Sequence, residues 1–258
     1  MLDITPNPLP RETPVSELLL LSNSTSPGLG FLEHALDTIA ALLPAGRRRL
    51  LFVPFASGDP DRSATVMTAA LAPLAVEVTS AHRLADPAAA VGSADAVFVG
   101  GGNSFRLLRA MQDCGLLTAI AGSVRAGMPY LGSSAGTNMA CPTLRTTNDM
   151  PIVQPRSFEA LALIPFQINP HYLDPDPASA YQGETRRQRI EEFLECNDVP
   201  VLGLREGSWL RVSGGAAAIG GTASAALFTR GAAARELAAG SDVSALLAAV
   251  PRFDVGRP

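Results

Sequence analysis

The chain has 258 residues, of which 47% are hydrophobic and 17% are charged, and its net charge is -4 at pH 7. This composition is typical of a folded globular protein rather than a disordered one, and the negative charge gives no electrostatic footprint for nucleic acid. The three cysteines, Cys114, Cys141 and Cys196, lack Cys-x-x-Cys spacing and predict neither a disulfide framework nor a zinc site. We expect no metal and no cofactor.

The first 15 residues contain four prolines and neither a basic segment nor an apolar run. They predict a loose N-terminal arm rather than a signal peptide, and no later apolar run is long enough to span a bilayer. We therefore expect a cytoplasmic protein without membrane contact, in which residues 16–258 form a single catalytic domain.

From residue 17 onward, apolar runs that predict strands alternate with helical periodicity. Strands are predicted at 17–21, 50–55, 76–79, 96–99 and 130–131, and helices at 29–43, 61–74, 86–94, 104–112 and 116–126. This alternation predicts an α/β fold with a mostly parallel sheet and helices on both faces. Binding and catalytic sites in such sheets form beyond the carboxyl ends of the strands.

The second half of the chain has a different pattern. A charged helix is predicted at 186–196, and glycine pairs separate several of the short apolar runs that follow, at 199–204, 209–212, 216–219 and 226–229. These runs predict a short C-terminal antiparallel portion. We expect it to belong to the same domain, because no linker precedes it.

The strand at 130–131 leads into Gly132-Ser133-Ser134-Ala135-Gly136, and small residues compatible with a helix follow. Gly-x-Ser-x-Gly between a strand and a helix is typical of a nucleophile elbow, in which a serine stands on a strained turn and needs small neighbours. Ser134 is therefore the candidate nucleophile. The backbone N–H of Ala135, at the start of the helix, is a candidate oxyanion donor.

A glycine run, Gly100-Gly101-Gly102-Asn103, follows the strand at 96–99. It lacks the Lys-Ser/Thr of a Walker A loop and the spacing of a dinucleotide-binding turn, which argues against a phosphate or nucleotide site. We expect the N–H groups of Gly101 and Gly102 to be further oxyanion donors, and Asn103 to contact substrate.

A serine nucleophile requires a base, and the chain has three histidines. His34 lies in the first predicted helix and His82 near the end of a strand, whereas His171 follows the short apolar run at 166–169 and lies after Ser134 in sequence. His171 is the best candidate. Asp149, in a polar loop, and Glu206, at a strand end, are both candidates for the acid that orients it.

Six segments of the sequence resemble the peptidase E family of serine peptidases, the α-aspartyl dipeptidases. The most specific is Thr147-Asn-Asp-Met-Pro-Ile, within residues 140–153, and the others are residues 18–25, 99–108, 132–136, 167–171 and 183–190. The resemblance covers residues 17–230. It implies a fold similar to class I glutamine amidotransferases and cleavage of dipeptides after an N-terminal aspartate.

The resemblance also implies roles for particular residues. Ser134 matches the nucleophile and His171 the base, and the acid remains either Asp149 or Glu206. Arg186 matches the position that holds the substrate's aspartyl side chain, and its planar guanidinium suits a carboxylate. Ser133, before the nucleophile, departs from the tryptophan expected in close relatives. We expect a small peptide substrate and a monomer or homodimer.

Two other functions remain as alternatives. A cyanophycinase-like hydrolase would cut an aspartyl-arginine polymer with related machinery. An amidotransferase-like binding protein without catalytic activity would keep the elbow but not the complete catalytic set, whereas the residues present here supply a nucleophile, a base and two candidate acids.

Overall fold

The computed structural model describes residues 17–46, 48–175 and 183–256, so the arm predicted at 1–15 lies outside the described residues. The strands are β1 (Leu18–Leu21), β2 (Arg48–Val53), β3 (Val76–Ser80), β4 (Ala96–Val99), β5 (Tyr130–Ser133), β6 (Gln167–Asn169), β7 (Val201–Leu204), β8 (Ser208–Ser213), β9 (Ala216–Gly221), β10 (Ala225–Phe228) and β11 (Arg235–Leu237). The helices are α1 (Leu36–Leu42), α2 (Pro60–Leu71), α3 (Pro87–Val91), α4 (Ser104–Asp113), α5 (Leu116–Arg125), α6 (Ala135–Ala140) and α7 (Arg186–Cys196).

The strands form two sheets. The larger has the order β3-β2-β4-β5-β1-β8-β9, in which the first five strands are parallel and β8 and β9 are antiparallel additions. The smaller has the order β11-β10-β7-β6, with β6 parallel to β7 and the other pairs antiparallel. The predicted α/β fold and C-terminal antiparallel portion are confirmed, although that portion is divided between the two sheets.

Alternation along the strands directs apolar side chains to both faces of the larger sheet. Leu19 and Leu21 of β1 pack on one face with α1 and α2, whereas Leu18 and Leu20 pack on the other with α4 and α5. The second cluster continues to Leu202 and other residues of the smaller sheet. This continuity agrees with a single domain, which stays a prediction.

The helix starts follow side-chain caps. Asp59 accepts a hydrogen bond from the Arg62 N–H at 2.9 Å, Asp86 accepts one from Ala89 at 2.9 Å, and Thr185 forms a capping box with Gln188. The helix predicted at 29–43 is shorter than expected: α1 begins only at Leu36, after a 3-10 turn, because Leu32 adopts a left-handed conformation with φ 61°. In the described ranges, no helix combines the length and apolar character needed to cross a membrane.

Candidate active site

Ser134 lies at the junction of β5 and α6 in a strained backbone conformation, with φ 52° and ψ −109°. The flanking glycines have no room for a side chain. A Cβ on Gly132 would lie 2.5 Å from the carbonyl oxygen of Gly136, and one on Gly136 would lie 1.9 Å from that of Val99. The two glycines of Gly-x-Ser-x-Gly are thus needed because α6 packs closely against β4 and β5. The strained backbone conformation places Ser134 at the sharp turn between strand and helix.

His171 follows β6 and faces Ser134. Its Nε2 lies 2.8 Å from Ser134 Oγ, and its Nδ1 lies 2.8 Å from Glu206 Oε1. Glu206 follows β7, the parallel neighbour of β6. Both side chains therefore lie just beyond the carboxyl ends of two adjacent strands of the smaller sheet. A carboxylate on Nδ1 favours the tautomer with its proton there, which leaves Nε2 free to accept from the serine hydroxyl.

Ser22 and Asn23, which directly follow β1, hold the backbone next to His171 and Glu206 in place. Buried Ser22 Oγ accepts from the His171 N–H at 2.9 Å and donates to the Leu204 carbonyl at 2.9 Å. Asn23 Oδ1 accepts from the Gly207 N–H at 2.8 Å, next to Glu206. Neither residue was predicted as part of the site. Their signal was a Ser-Asn pair at the carboxyl end of a fully buried strand.

Asp149 lies in contact with α4 rather than with His171. Its Oδ2 accepts from the Ser104 N–H at 2.7 Å and from Ser104 Oγ at 2.5 Å. Thr147 Oγ1 donates to the same hydroxyl at 3.0 Å. The carboxylate therefore fastens the polar loop to the first turn of the helix that follows the glycine run.

The glycine run approaches the nucleophile closely. A Cβ on Gly101 would lie 3.3 Å from Ser134 Cβ and 3.9 Å from its Oγ. Gly102 has φ 133°, and a Cβ there would lie 2.4 Å from the Ala56 carbonyl oxygen. Within the described part of the chain, the N–H groups of Gly101, Gly102 and Ala135 have no hydrogen-bond acceptor. These three N–H groups are therefore available to a ligand.

Asn103 has both ends of its amide occupied. Its Oδ1 accepts from the Arg106 N–H at 3.0 Å and caps α4, and its Nδ2 donates to the Met150 carbonyl at 2.9 Å. These bonds give Asn103 a structural task in joining the glycine run to the polar loop. Its contact with substrate stays a prediction.

Arg186 is half-buried in the first turn of α7, and its Nη1 is buried without a hydrogen-bond partner among the described residues. Burial lowers the pKa of its guanidinium, and the positive charge of Arg189 lowers it further. The Glu206 and Asp149 carboxylates act in the opposite direction and raise this pKa. An arginine remains protonated at neutral pH, so this is a buried cation with unused donor capacity. A carboxylate ligand would supply the missing acceptor.

A cavity of about 520 Å³ opens beside Ser134 and His171, and the glycine run forms part of its wall. Ser24 also lines it and shares a 2.6 Å hydrogen bond with Ser133. Ser133 itself is fully buried. Ser133 therefore contacts the cavity wall only indirectly, through its hydrogen bond to Ser24.

The other two histidines lie apart from this arrangement. His82 contacts Ser80 through Nδ1 and Asp61 through Nε2, at 2.8 and 3.1 Å. His34 packs against Trp209, with ring centroids 6.2 Å apart. Burial lowers the pKa of His34, which favours its neutral form.

Comparisons with known proteins identify the family of this chain. The model of peptidase family S51 matches residues 18–220, most of the chain. The chain belongs to peptidase family S51. A peptidase E from Streptomyces coelicolor is 62% identical over 93% of this chain and 98% of its own, and a peptidase E from Salmonella typhimurium is 50% identical over 87% and 98%.

A solved structure is also similar. A peptidase from an acI-B1 actinobacterium aligns with a TM-score of 0.64 at 17% identity, over 89% of this chain and 96% of that one, which supports the fold. S51 membership makes the chain a serine-type peptidase and confirms the predicted family and enzyme class. Localisation in the cytoplasm and the oligomeric state stay predictions.

Proposed function

We propose that this S51 peptidase hydrolyses dipeptides with an N-terminal aspartate, through an acyl-enzyme on Ser134. The observation that carries the proposal is the hydrogen-bonded series from Ser134 Oγ to His171 Nε2 and from His171 Nδ1 to Glu206 Oε1, each step 2.8 Å long. This series supplies a nucleophile, a base and an acid in hydrogen-bond contact, which argues against a binding protein without catalytic activity.

The chemistry proceeds in two halves. Ser134 Oγ attacks the scissile carbonyl while His171 Nε2 takes its proton, and the N–H groups of Gly101, Gly102 and Ala135 stabilise the negative oxygen that forms. His171 then donates that proton to the leaving amine. Water attacks the aspartyl ester with His171 again as base, which releases aspartate and restores the Ser134 hydroxyl. Glu206 stabilises the imidazolium throughout.

Arg186 is our candidate for recognition of the aspartyl side chain. Its unpaired, buried Nη1 supports this role, because a buried cation gains most from a ligand that brings a charge-assisted hydrogen bond. A site built for a charged group rejects analogues that leave it unpaired, often by about 10⁴-fold. We therefore expect Asp-Leu to be cleaved far faster than the nearly isosteric Asn-Leu.

The test compares kcat/KM for Asp-Leu, Asn-Leu and Glu-Leu in wild type, Arg186→Ala and Arg186→Lys. Arg186→Ala should lose the preference for Asp, and Arg186→Lys should lose much of it because lysine lacks the planar fork. Arg189→Ala is the matched control: it removes an exposed arginine of the same helix, which pairs with Glu184 at 3.7 Å, and should keep the preference.

Ser134→Ala measures the background and should show no hydrolysis of any of the three dipeptides. Retention of the wild-type preference by Arg186→Ala would mean that another group reads the carboxylate. Wild-type cleavage of Asn-Leu as fast as Asp-Leu would refute aspartyl specificity itself.

A further inference from the structure

The cavity beside Ser134 lies on the side of the nucleophile where α2 begins. Phe31, Phe52 and Val66 supply apolar walls, and Asp59, Arg62 and Ser63, around the start of α2, supply a polar rim. Arg186, on α7, does not line this cavity. If Arg186 holds the acyl half of the substrate, as proposed above, the leaving residue has this cavity available to it.

The leaving residue of a dipeptide brings its own α-carboxylate. Removing that anion from water is costly unless a cation or hydrogen-bond donors meet it. In an extended dipeptide, this carboxylate lies one residue beyond the scissile carbonyl, so a cation on the wall or rim of this cavity is a candidate partner for it. Among the described residues that line the cavity, Arg62 is the one arginine, and it is exposed to solvent.

The guanidinium of Arg62 is available. Among residues 17–46, 48–175 and 183–256, no hydrogen bond or ion pair engages it, although the Arg62 backbone N–H is held by Asp59 at 2.9 Å. Arg83, by contrast, is paired with the Asp61 carboxylate at 2.5 Å. Arg62 therefore lines the cavity without a carboxylate partner, whereas Arg83 has one and does not line it.

Other charges at this rim include one of each sign. Asp59 is the acidic residue that lines the cavity, and its Oδ1 faces the first turn of α2, where the helix dipole partly offsets its charge. Arg106 adds positive charge from α4, because its Nη1 would lie 3.4 Å from a Cβ on Gly58, in the loop next to Asp59. The charge at this rim is therefore mixed, and among these groups Arg62 is the cation that lines the cavity itself.

From these observations we infer that Arg62 binds the α-carboxylate of the leaving residue and so makes the enzyme selective for substrates with one residue after the scissile bond. This inference rests on the proposed function. A planar guanidinium can grip a carboxylate through two parallel hydrogen bonds, which fixes the direction of the leaving residue as well as its charge. The effect is one of substrate binding and appears mainly in KM.

The test uses two substrates that differ only at this carboxylate, Asp-Leu and its C-terminal amide, with wild type, Arg62→Gln and Arg83→Gln. Wild type should prefer Asp-Leu over the amide on the order of tenfold in kcat/KM, the range expected for a charged hydrogen bond at an exposed rim. Arg62→Gln should lose that factor on Asp-Leu and keep its activity on the amide. Arg83→Gln, which removes an equal charge nearby without lining the cavity, should keep the preference.

The two hypotheses fail differently. Equal cleavage of Asp-Leu and its amide by wild type, or an unchanged preference in Arg62→Gln, would overturn the role of Arg62 and leave the dipeptidase intact. Cleavage of neither substrate by wild type would overturn the proposed function and this role with it.

Discussion

At the scale of single residues, the two acids that the sequence leaves open differ in their neighbours. Glu206 lies 2.8 Å from His171 Nδ1, whereas Asp149 is engaged by the N–H and hydroxyl of Ser104. The sequence makes both candidates, because Glu206 follows a strand end and Asp149 lies in a polar loop between Ser134 and His171. The strand-end position favours Glu206, but the sequence does not settle the choice, because that depends on which strand pairs with β6.

The amide replacements Glu206→Gln and Asp149→Asn keep shape and remove charge, and they should have different effects. Glu206→Gln should lower kcat for Asp-Leu by roughly 10⁴-fold, as expected when the acid of a triad becomes an amide. Asp149→Asn should keep most of the activity and instead lower the free energy of unfolding by about 1–3 kcal/mol, through weaker charge-assisted hydrogen bonds to Ser104. Steady-state kinetics and urea denaturation measure the two quantities. A loss of kcat in Asp149→Asn as large as that in Glu206→Gln would contradict the assignment of roles.

Cys141, just after α6, shows why proximity to the elbow does not by itself imply reactivity. Its thiol is buried, donates to the Thr137 carbonyl and accepts from the Ile168 N–H at 3.2 Å. Burial raises the pKa of this thiol to about 12, so it stays protonated at neutral pH and packs as a small apolar side chain.

At the scale of elements, the elbow is built by close contact between β4, β5 and α6. Gly136→Ala should be strongly destabilising, because its Cβ would overlap the Val99 carbonyl at 1.9 Å and the backbone of β4 would have to move. Overpacking of this kind typically costs about 1–3 kcal/mol or more. Thermal unfolding should show a lower Tm, and any folded fraction should have little activity because Ser134 is displaced.

Gly122→Ala is the matched control for this substitution. Gly122 is exposed within α5, and a Cβ there would meet nothing within 4 Å. Alanine should stabilise the helix by about 0.5–1 kcal/mol and leave kcat unchanged. A Gly136→Ala variant with wild-type Tm and activity would show that the elbow tolerates a side chain, against the packing described here.

Elements with strong local signals were predicted well, and those decided by distant partners were not. Helix α7 has its predicted bounds, and β4 matches residue for residue, because capping and apolar runs are local features. The short strand β11 was not predicted, since three residues with two exposed give little pattern. The division of the C-terminal strands between two sheets depends on long-range pairing, which apolar periodicity does not specify.

At the scale of the whole molecule, the proposed catalytic residues join the two sheets. Ser134 stands at the end of β5 in the larger sheet, and His171 and Glu206 follow β6 and β7 in the smaller one. Ser22 bridges the sheets, since it follows β1 and bonds to both His171 and Leu204. The sequence predicted Ser134 and His171 as site residues, but not this bridge, because it exists only when the sheets have packed.

The most direct test of this account measures kcat for Asp-Leu in wild type, Ser134→Ala, His171→Ala and the double variant, with folding checked by circular dichroism. A nucleophile and base that act as one unit lose activity together, so each single variant should lose on the order of 10⁶-fold and the double variant no more than either. Activity of Ser134→Ala within tenfold of wild type, or a double variant far less active than both single variants, would contradict the claim that Ser134 and His171 form one catalytic unit.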